Sequence, residues 1–206
     1  MKVVIFGATG GTGTELVRQA LEQGHAVTAF VRNPARQLVK DEHLRVVTGD
    51  IFDPGSVAQA IQGQEAVICA LGSRDLKKTS IRATGTINII GAMKKHNVRR
   101  LIVISAMGVG ESWDSLSALN KFFFATLLKS AREDHQAQET AVKESGLDWT
   151  IIRPSGLIDS PRSGTYNVGE NIRAKTSKIS RADVAALSMS ALEDRSLVHK
   201  AVIITN

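Results

Sequence analysis

Short apolar runs alternate with longer amphipathic segments along the whole chain. The runs are rich in Val, Ile and Leu, and they predict strands over residues 2–6, 26–31, 44–48, 65–70, 99–105, 149–153 and 201–205. The segments between them predict helices over residues 14–23, from 54 onward, over 79–96 and over 183–193, with a further helical region from 113 to about 145. Strands alternating with helices are typical of a doubly wound α/β fold with a mostly parallel sheet. The strands have little polar alternation, which indicates burial on both faces.

The chain shows no linker, repeat or low-complexity segment. We therefore predict one domain over residues 1–206, a length that can bury a sizeable core. Residues 155–177 lack clear periodicity and predict a long loop or a small lobe, and we expect the segment 155–178 to contact the substrate.

A glycine-rich turn, Gly7-Ala8-Thr9-Gly10-Gly11-Thr12-Gly13, follows the first strand directly and opens a helix. In a nucleotide-binding βαβ unit the first glycine permits the turn, the second lets the backbone approach a pyrophosphate, and the third lets the helix pack on the strand. Free N–H groups at the start of the helix favour the phosphate charge. The alternative is an ordinary structural turn. The context favours a Rossmann-type dinucleotide site whose residues include Gly7, Thr9, Gly10, Gly11, Thr12 and Gly13.

The end of the second strand indicates which dinucleotide is bound. An NAD site usually places an acidic residue there for the ribose 2′-hydroxyl, whereas this chain has Arg32, followed by Arg36. A guanidinium binds a 2′-phosphate through two charge-assisted hydrogen bonds. The alternative is that both arginines are merely exposed. The sequence predicts NADP(H).

Ligands of such sheets bind at the carboxyl ends of the strands. Asp50, just after the third strand, either hydrogen-bonds the adenine amino group or caps the turn before Asp53-Pro54. The other residues that we expect at the cofactor are Ile51, Leu71, Gly72, Ser73, Arg74 and Pro154.

The net charge of +6 does not by itself indicate a nucleic-acid partner. The densest basic cluster, Lys94, Lys95, His96, Arg99 and Arg100, follows a predicted helix, and we interpret it as a solvated helix terminus. The single cysteine, Cys69, lies in an apolar run and predicts a buried thiol in a reduced compartment. No run is long enough to span a bilayer, and the first strand begins at once. We expect a cytoplasmic protein with no membrane, nucleic-acid or metal partner.

Several motifs together resemble the atypical short-chain dehydrogenase/reductases. They are Phe6–Gly13, Val31-Arg32, Gly49-Asp50, Leu71–Arg74, Ile104-Ser105-Ala106, Glu144–Leu147 and Arg153-Pro154-Ser155. Within this superfamily the chain most resembles the biliverdin-IXβ reductase (flavin reductase) family, and the resemblance covers nearly the whole chain. It implies a monomeric Rossmann-fold NADPH-dependent reductase of flavins and linear tetrapyrroles.

The catalytic Tyr-x-x-x-Lys pair of most short-chain dehydrogenases is missing. The only tyrosine, Tyr166, lies beyond the sixth strand, and residue 170 is Glu. This absence counts against alcohol oxidation and epimerisation, which need a positioned proton carrier. Flavin and biliverdin reductases deliver hydride to a conjugated acceptor, so that catalysis is mostly orientation. The resemblance assigns the active-site serine to Ser105, for which the alternative is a strand-end serine bonded to the backbone.

The substrate half of the resemblance is less complete. Family members can carry a histidine shortly after strand six where this chain has Gly156, so no proton donor is transferred to that position. His135 is another candidate, although a solvated helical histidine is the simpler interpretation. We expect Met107, Trp113 and Arg173 to line the substrate pocket, with Trp113 stacking on a flat ring. A core role for Trp113 and a solvated late loop are the alternatives.

The sequence leaves two rival functions open. One is a non-catalytic NADP(H) sensor or assembly factor like the NmrA-like proteins, which also keep the glycine turn and lack Tyr-x-x-x-Lys. The other is an epimerase- or dehydratase-like enzyme, which the missing tyrosine disfavours. Our expectation is an NADPH-dependent oxidoreductase that acts on a small-molecule acceptor.

Overall fold

The computed structural model describes residues 1–37, 39–73, 80–115, 129–172 and 178–206. The strands are β1 Lys2–Phe6, β2 Ala26–Val31, β3 Leu44–Thr48, β4 Ala66–Cys69, β5 Arg100–Ile104, β6 Asp148–Pro154, β7 Gly156–Ile158, β8 Asn167–Gly169, β9 Lys178–Ser180 and β10 Lys200–Thr205. The helices are α1 Gly11–Glu22, α2 Pro54–Ile61, α3 Ile81–Lys95, α4 Lys129–Lys143 and α5 Arg181–Glu193. Short 3₁₀ turns span Pro34–Arg36, Gly110–Ser115 and Arg195–Leu197.

Eight strands form one mostly parallel sheet in the order β3-β2-β1-β4-β5-β6-β10-β8. Among the strand pairs formed by the described residues, this sheet has one antiparallel pair, β10 with β8 at its edge. The alternating side chains of the central strand β1 enter two separate cores. Val3 and Ile5 pack on the side of α1 and α5, whereas Val4 and Phe6 pack on the side of α2, α3 and α4. The predicted doubly wound α/β fold is confirmed.

The described part of the segment after β6 contains strands that its sequence pattern does not indicate. We predicted a loop or small lobe over residues 155–177, but β7 and β8 lie within this range. β7 pairs with β9 in a separate two-stranded sheet, and β8 joins the edge of the main sheet. Each of these strands is only three residues long, too short for alternation to reveal it. The predicted end of the sixth strand at residue 153 is also wrong, because β6 includes Pro154.

Side chains at the helix ends define where several helices begin. Asp53 accepts from the backbone N–H groups of Gly55 and Ser56 and so caps α2, which begins at residue 54 as predicted. At α5, Ser180 accepts from the N–H of Asp183, so that this helix begins at Arg181, before the predicted start. At α3, the cap comes from another helix, since Asp134 of α4 accepts from the N–H groups of Arg82 and Ala83. This carboxylate therefore ties α4 to the beginning of α3.

One part of the basic cluster contradicts our prediction of a solvated helix end. Lys94 and Lys95 do lie in the last turn of α3, but Arg100 is buried in β5. Its guanidinium donates to the carbonyls of Asp148 and Ala191 and to the hydroxyl of Thr150. Burial lowers the pKa of Arg100 to about 10. Arg100 is therefore a core residue that joins β5 to β6 and α5.

The predicted burial of Cys69 is confirmed, and burial raises the pKa of its thiol. None of the helices formed by the described residues is both long and apolar enough to cross a lipid bilayer.

Candidate active site

The strands β1 to β6 run parallel, so their carboxyl ends meet at one edge of the main sheet. Most of the predicted site residues follow these ends directly. The turn starting at Gly7 follows β1, Arg32 follows β2, Asp50 follows β3, Leu71 follows β4 and Ser105 follows β5. The topology therefore gathers them along the edge where this class of sheet binds its ligands.

The glycine turn has the tight geometry that its sequence predicts. Gly7 has a φ of +83°, and a Cβ at this position would lie 2.3 Å from the carbonyl oxygen of Ala70. A Cβ on Gly13 would lie 2.0 Å from the carbonyl oxygen of Gly7, so that no side chain fits between helix and turn. Gly10 precedes the first residue of α1, and no side chain of the described residues caps that helix. Its amide groups are therefore left for a ligand.

Arg32 and Arg36 lie in an exposed segment after β2 that includes the 3₁₀ turn Pro34–Arg36. The side chain of Asn33 fixes this turn by accepting from the N–H of Ala35 at 3.0 Å. Within the described part of the chain, neither guanidinium has an ion-pair partner. Both charges are thus available to an anion, and their role in binding a 2′-phosphate stays a prediction.

Asp50 caps its local turn, which is the alternative role that we considered for it: its Oδ1 accepts from the N–H of Phe52 at 3.0 Å. Contact of this exposed carboxylate with adenine stays a prediction. Next to it, the side chains of Ile51 and Leu71 are buried, and a Cβ on Gly85 of α3 would collide with both. The floor under this part of the edge is therefore apolar. Gly72 and Ser73 follow Leu71 at the surface, whereas Arg74 lies outside the described residues.

Beneath the end of β5, Ser105 takes part in a buried charged network. Its hydroxyl donates to Oε1 of Glu139 at 2.7 Å. Nε of Arg153 donates to the same oxygen at 3.0 Å, and Nη2 donates to Oε2. The side chains of Glu139 and Arg153 are 0% and 1% exposed. A buried carboxylate and guanidinium in bidentate contact therefore hold the serine, in place of the backbone bond that we weighed as its alternative role.

The network continues to the surface through a second carboxylate. Glu111, in the loop after β5, accepts from Nη2 of Arg153 and from Nζ of Lys143, both at 2.7 Å. Hydrogen bonds from Lys143 and Arg153 lower the pKa of Glu111 to about 2. Lys143 also lies 4.0 Å from Glu139. The loop that follows β5 is thus tied to β6 and α4 through charged groups.

His135, one turn before Glu139 on α4, places Nδ1 3.5 Å from Oγ of Ser105, the long limit for a hydrogen bond. Burial and the nearby Arg82 guanidinium lower the pKa of this histidine to about 3. Arg82 itself pairs with the buried Asp134 at 3.3 Å. The imidazole beside Ser105 is therefore neutral at physiological pH, with one N–H and one lone pair.

His135 and Glu139 have the i, i+4 spacing of the Tyr-x-x-x-Lys pair of most short-chain dehydrogenases, and α4 likewise lies between β5 and β6. His135 is partly buried rather than solvated, which corrects the simpler of our two interpretations. Tyr166, by contrast, packs against the apolar core on the side of α1 and α5. Among the described residues, the groups beside Ser105 are thus an imidazole and a carboxylate.

The residues predicted to line the substrate pocket are not brought together as clearly as those predicted to bind the cofactor. Met107 is buried, and its N–H donates to the carbonyl of Pro154 at 2.9 Å. The ring of Trp113 has the Arg132 guanidinium 4.6 Å from its centroid, so that one face is already covered. Stacking of the other face on a substrate stays a prediction. Arg173 lies outside the described residues.

Sequence reasoning missed Glu139 and Arg153 as parts of the site. Arg153 carries a recognisable signal, because a charged residue inside the run Trp-Thr-Ile-Ile-Arg-Pro of a buried strand requires a buried partner. Glu139 carries none, since it lies in a polar helix where any exposed glutamate would look the same.

The glycine turn after β1 and the gathered strand ends define a Rossmann domain of the oxidoreductase type. The sequence pattern of the family described as NAD(P)H-binding matches residues 7–195. The chain belongs to this family of NAD(P)H-binding proteins, which confirms the predicted cofactor at the level of NAD(P)H.

Two solved structures illustrate the likeness. The chain is 26% identical to ChuY, an anaerobilin reductase from Escherichia coli O157:H7, with a TM-score of 0.82 over 100% of this chain and 97% of that one. A short-chain dehydrogenase/reductase from Veillonella parvula, solved in complex with NADP, has a TM-score of 0.85 at 21% identity, covering 100% and 94%. At this lower identity the second likeness concerns the fold.

Two sequence relatives are not named as reductases or dehydrogenases. The chain is 31% identical to an uncharacterised chloroplast protein of Arabidopsis thaliana, covering 93% of this chain and 71% of that protein. It is 26% identical to the photosystem II assembly factor Ycf39 of Synechocystis, over 97% of this chain and 61% of that protein. The proteins to which this chain is similar therefore include one named for reduction and one named for assembly.

Proposed function

We propose that the protein is an NADPH-dependent reductase that transfers a hydride to a flavin or a linear tetrapyrrole. The observation that carries the proposal is the bond from Ser105 to Glu139 at 2.7 Å. This bond occupies the only hydroxyl proton of Ser105, and the neighbouring imidazole of His135 is neutral. Such a site orients a ligand well but is a poor proton donor to an isolated carbonyl.

A conjugated acceptor fits these groups because its own heteroatoms take the proton from solvent after the hydride arrives. The task of the protein is then to hold the nicotinamide against the acceptor. The likeness to ChuY over the full chain supports a tetrapyrrole acceptor. The unpaired Arg32 and Arg36 support NADPH as the donor, because a 2′-phosphate needs cations at this strand end.

The second candidate is a non-catalytic NADP(H)-binding assembly factor, which the similarity to Ycf39 favours. On this proposal the nucleotide stabilises a surface for a partner, and Ser105 has no reaction to serve. Binding of the nucleotide is common to both candidates, so turnover separates them.

The test is NADPH oxidation by the purified full chain, followed by the loss of NADPH absorbance, with FMN and separately with biliverdin. Turnover with either acceptor, faster with NADPH than with NADH and reduced by Ser105→Ala, supports the reductase. NADPH that binds tightly but is oxidised by neither acceptor overturns it and favours the assembly factor. A reaction without protein, run in parallel, removes the contribution of direct reduction by NADPH.

A further inference from the structure

The side chain of Arg181 lies over the first residue of α1. Arg181 begins α5, which packs alongside α1, and the two helices are joined where Gln19 donates to the carbonyl of Ala182 at 2.9 Å. A Cβ on Gly11 would lie 2.7 Å from Nε and 2.8 Å from Cδ of Arg181. The second of the two adjacent glycines in the turn is thus the residue over which this arginine packs.

This position concentrates positive charge at the helix N-terminus, where Rossmann domains bind the pyrophosphate of a dinucleotide. The N-terminus of α1 carries the positive end of the helix dipole, and its first turn contains no acidic residue. The guanidinium of Arg181 adds a full charge beside it. An anion between the helix and the guanidinium would satisfy both.

The present partner of Arg181 is weakly held. Nη1 lies 2.7 Å from Oδ1 of Asp159, whose side chain is 87% exposed, against 26% for the arginine. Ion pairs with an exposed partner contribute only about 0–1 kcal/mol. A neighbouring cavity of about 390 Å³ gives both side chains room to move. Its lining includes Glu15, Arg18, Asp159, Ser160, Arg162 and Arg181.

We propose that Arg181 binds the pyrophosphate of the nucleotide, and that Asp159 is the counter-ion that it leaves when the nucleotide arrives. The pyrophosphate carries more negative charge than one carboxylate and lies against the helix dipole as well. The planar guanidinium fork is suited to two phosphate oxygens at once. This assignment concerns cofactor affinity alone, so it stands apart from the question of which acceptor is reduced.

Two substitutions that remove the same ion pair test the assignment, because they are expected to change affinity in opposite directions. Arg181→Gln should raise the Kd for NADPH roughly tenfold or more, the worth of a charge-assisted hydrogen bond, and should raise that for NADH by a similar factor. Asp159→Asn should lower the Kd for NADPH about two- to fivefold, because the competing carboxylate is gone. Titration calorimetry of the full chain measures both.

The matched control is Arg18→Gln, which removes an arginine from the same cavity that pairs instead with Glu15 and Glu22 of α1. Its Kd should equal that of the wild type. An unchanged Kd in Arg181→Gln overturns the proposal. A raised Kd in Asp159→Asn also overturns it, because weaker binding would show that the ion pair has a structural role. If Arg181→Gln does not fold, Asp159→Asn decides alone: tighter binding supports the proposal, and unchanged or weaker binding rejects it.

Discussion

The hydroxyl of Ser105 donates to a carboxylate oxygen of Glu139, and both side chains are buried. A serine has one proton, so Ser105 faces the rest of the site as an acceptor. A ligand group that meets it must bring its own N–H, as a carboxamide, an isoalloxazine ring or a pyrrole does. The proposed substrates, flavins and linear tetrapyrroles, carry such N–H groups.

Ser105→Ala is expected to lower turnover by up to roughly tenfold, about the worth of one hydrogen bond, while the Kd for NADPH changes little. The loss falls on orientation at the hydride, far from the phosphates that dominate nucleotide affinity. Steady-state kinetics with the acceptor found active, together with titration of NADPH, measures both quantities. Unchanged turnover would remove Ser105 from the catalytic site.

Glu139→Gln is expected to destabilise the fold by up to about 3–5 kcal/mol, because the buried guanidinium of Arg153 loses its buried charged partner and keeps only the exposed Glu111. Urea denaturation measures this free energy of unfolding. Glu111→Gln is the matched control, since this glutamate contacts the same guanidinium but its side chain is 66% exposed. A similar loss in both variants would show that burial of the Glu139–Arg153 pair is not what matters.

Arg32→Ala is expected to raise the Kd for NADPH by roughly tenfold or more and to leave that for NADH nearly unchanged, because only NADPH carries the 2′-phosphate. Arg45→Ala, at an exposed position on β3, serves as the control for general loss of positive charge. Equal weakening of both nucleotides by Arg32→Ala would remove the 2′-phosphate assignment.

The lowered pKa of His135 makes stability depend on pH. Between the ordinary value of 6.5 and about 3, the unfolded chain binds a proton on this ring that the folded chain does not. The free energy of unfolding therefore decreases as the pH falls through this window, by up to about 1.4 kcal/mol per pH unit. His135→Gln should remove this part of the slope. Urea denaturation at a series of pH values compares the two proteins, and identical slopes would contradict the assignment.

Two glycine-to-alanine substitutions should act in opposite directions. At Gly13 the added Cβ meets a backbone oxygen that cannot move away, so Gly13→Ala should lower the melting temperature and abolish tight NADPH binding. At Gly91, in the middle of α3, a Cβ meets nothing within 4 Å. Gly91→Ala should therefore stabilise the protein by up to about 1 kcal/mol through helix propensity. Thermal unfolding and NADPH titration measure these effects, and normal NADPH binding by Gly13→Ala would contradict the packing argument.

The parallel part of the main sheet is predictable from the sequence because each of its strands is a compact apolar run that needs two covered faces. The glycine turn is predictable for a similar reason, since its spacing reflects close approaches of the backbone. Both signals are local. The strands β7, β8 and β9 are too short to carry one, so their pairing depends on neighbours that the pattern does not reveal.

The candidate site divides in the same way. Arg32 and Asp50 are predicted from their place after a strand, and Ser105 from a matched motif. Glu139 and Arg153 meet only because α4 packs beneath the end of β5, which is a property of tertiary structure. Arg181 lies still further along the chain from the turn over which it packs, and the sequence links it to Gly11 only in hindsight.

The place of β10 has a consequence for synthesis on the ribosome. β10 lies inside the main sheet, between β6 and β8, although it comes last along the chain. Until residues 200–205 have left the exit tunnel, β6 presents an open edge and β8 lacks the strand with which it pairs. The main sheet of the nascent chain therefore stays incomplete, with an exposed edge, until β10 emerges. An exposed sheet edge is the kind of surface on which chaperones act.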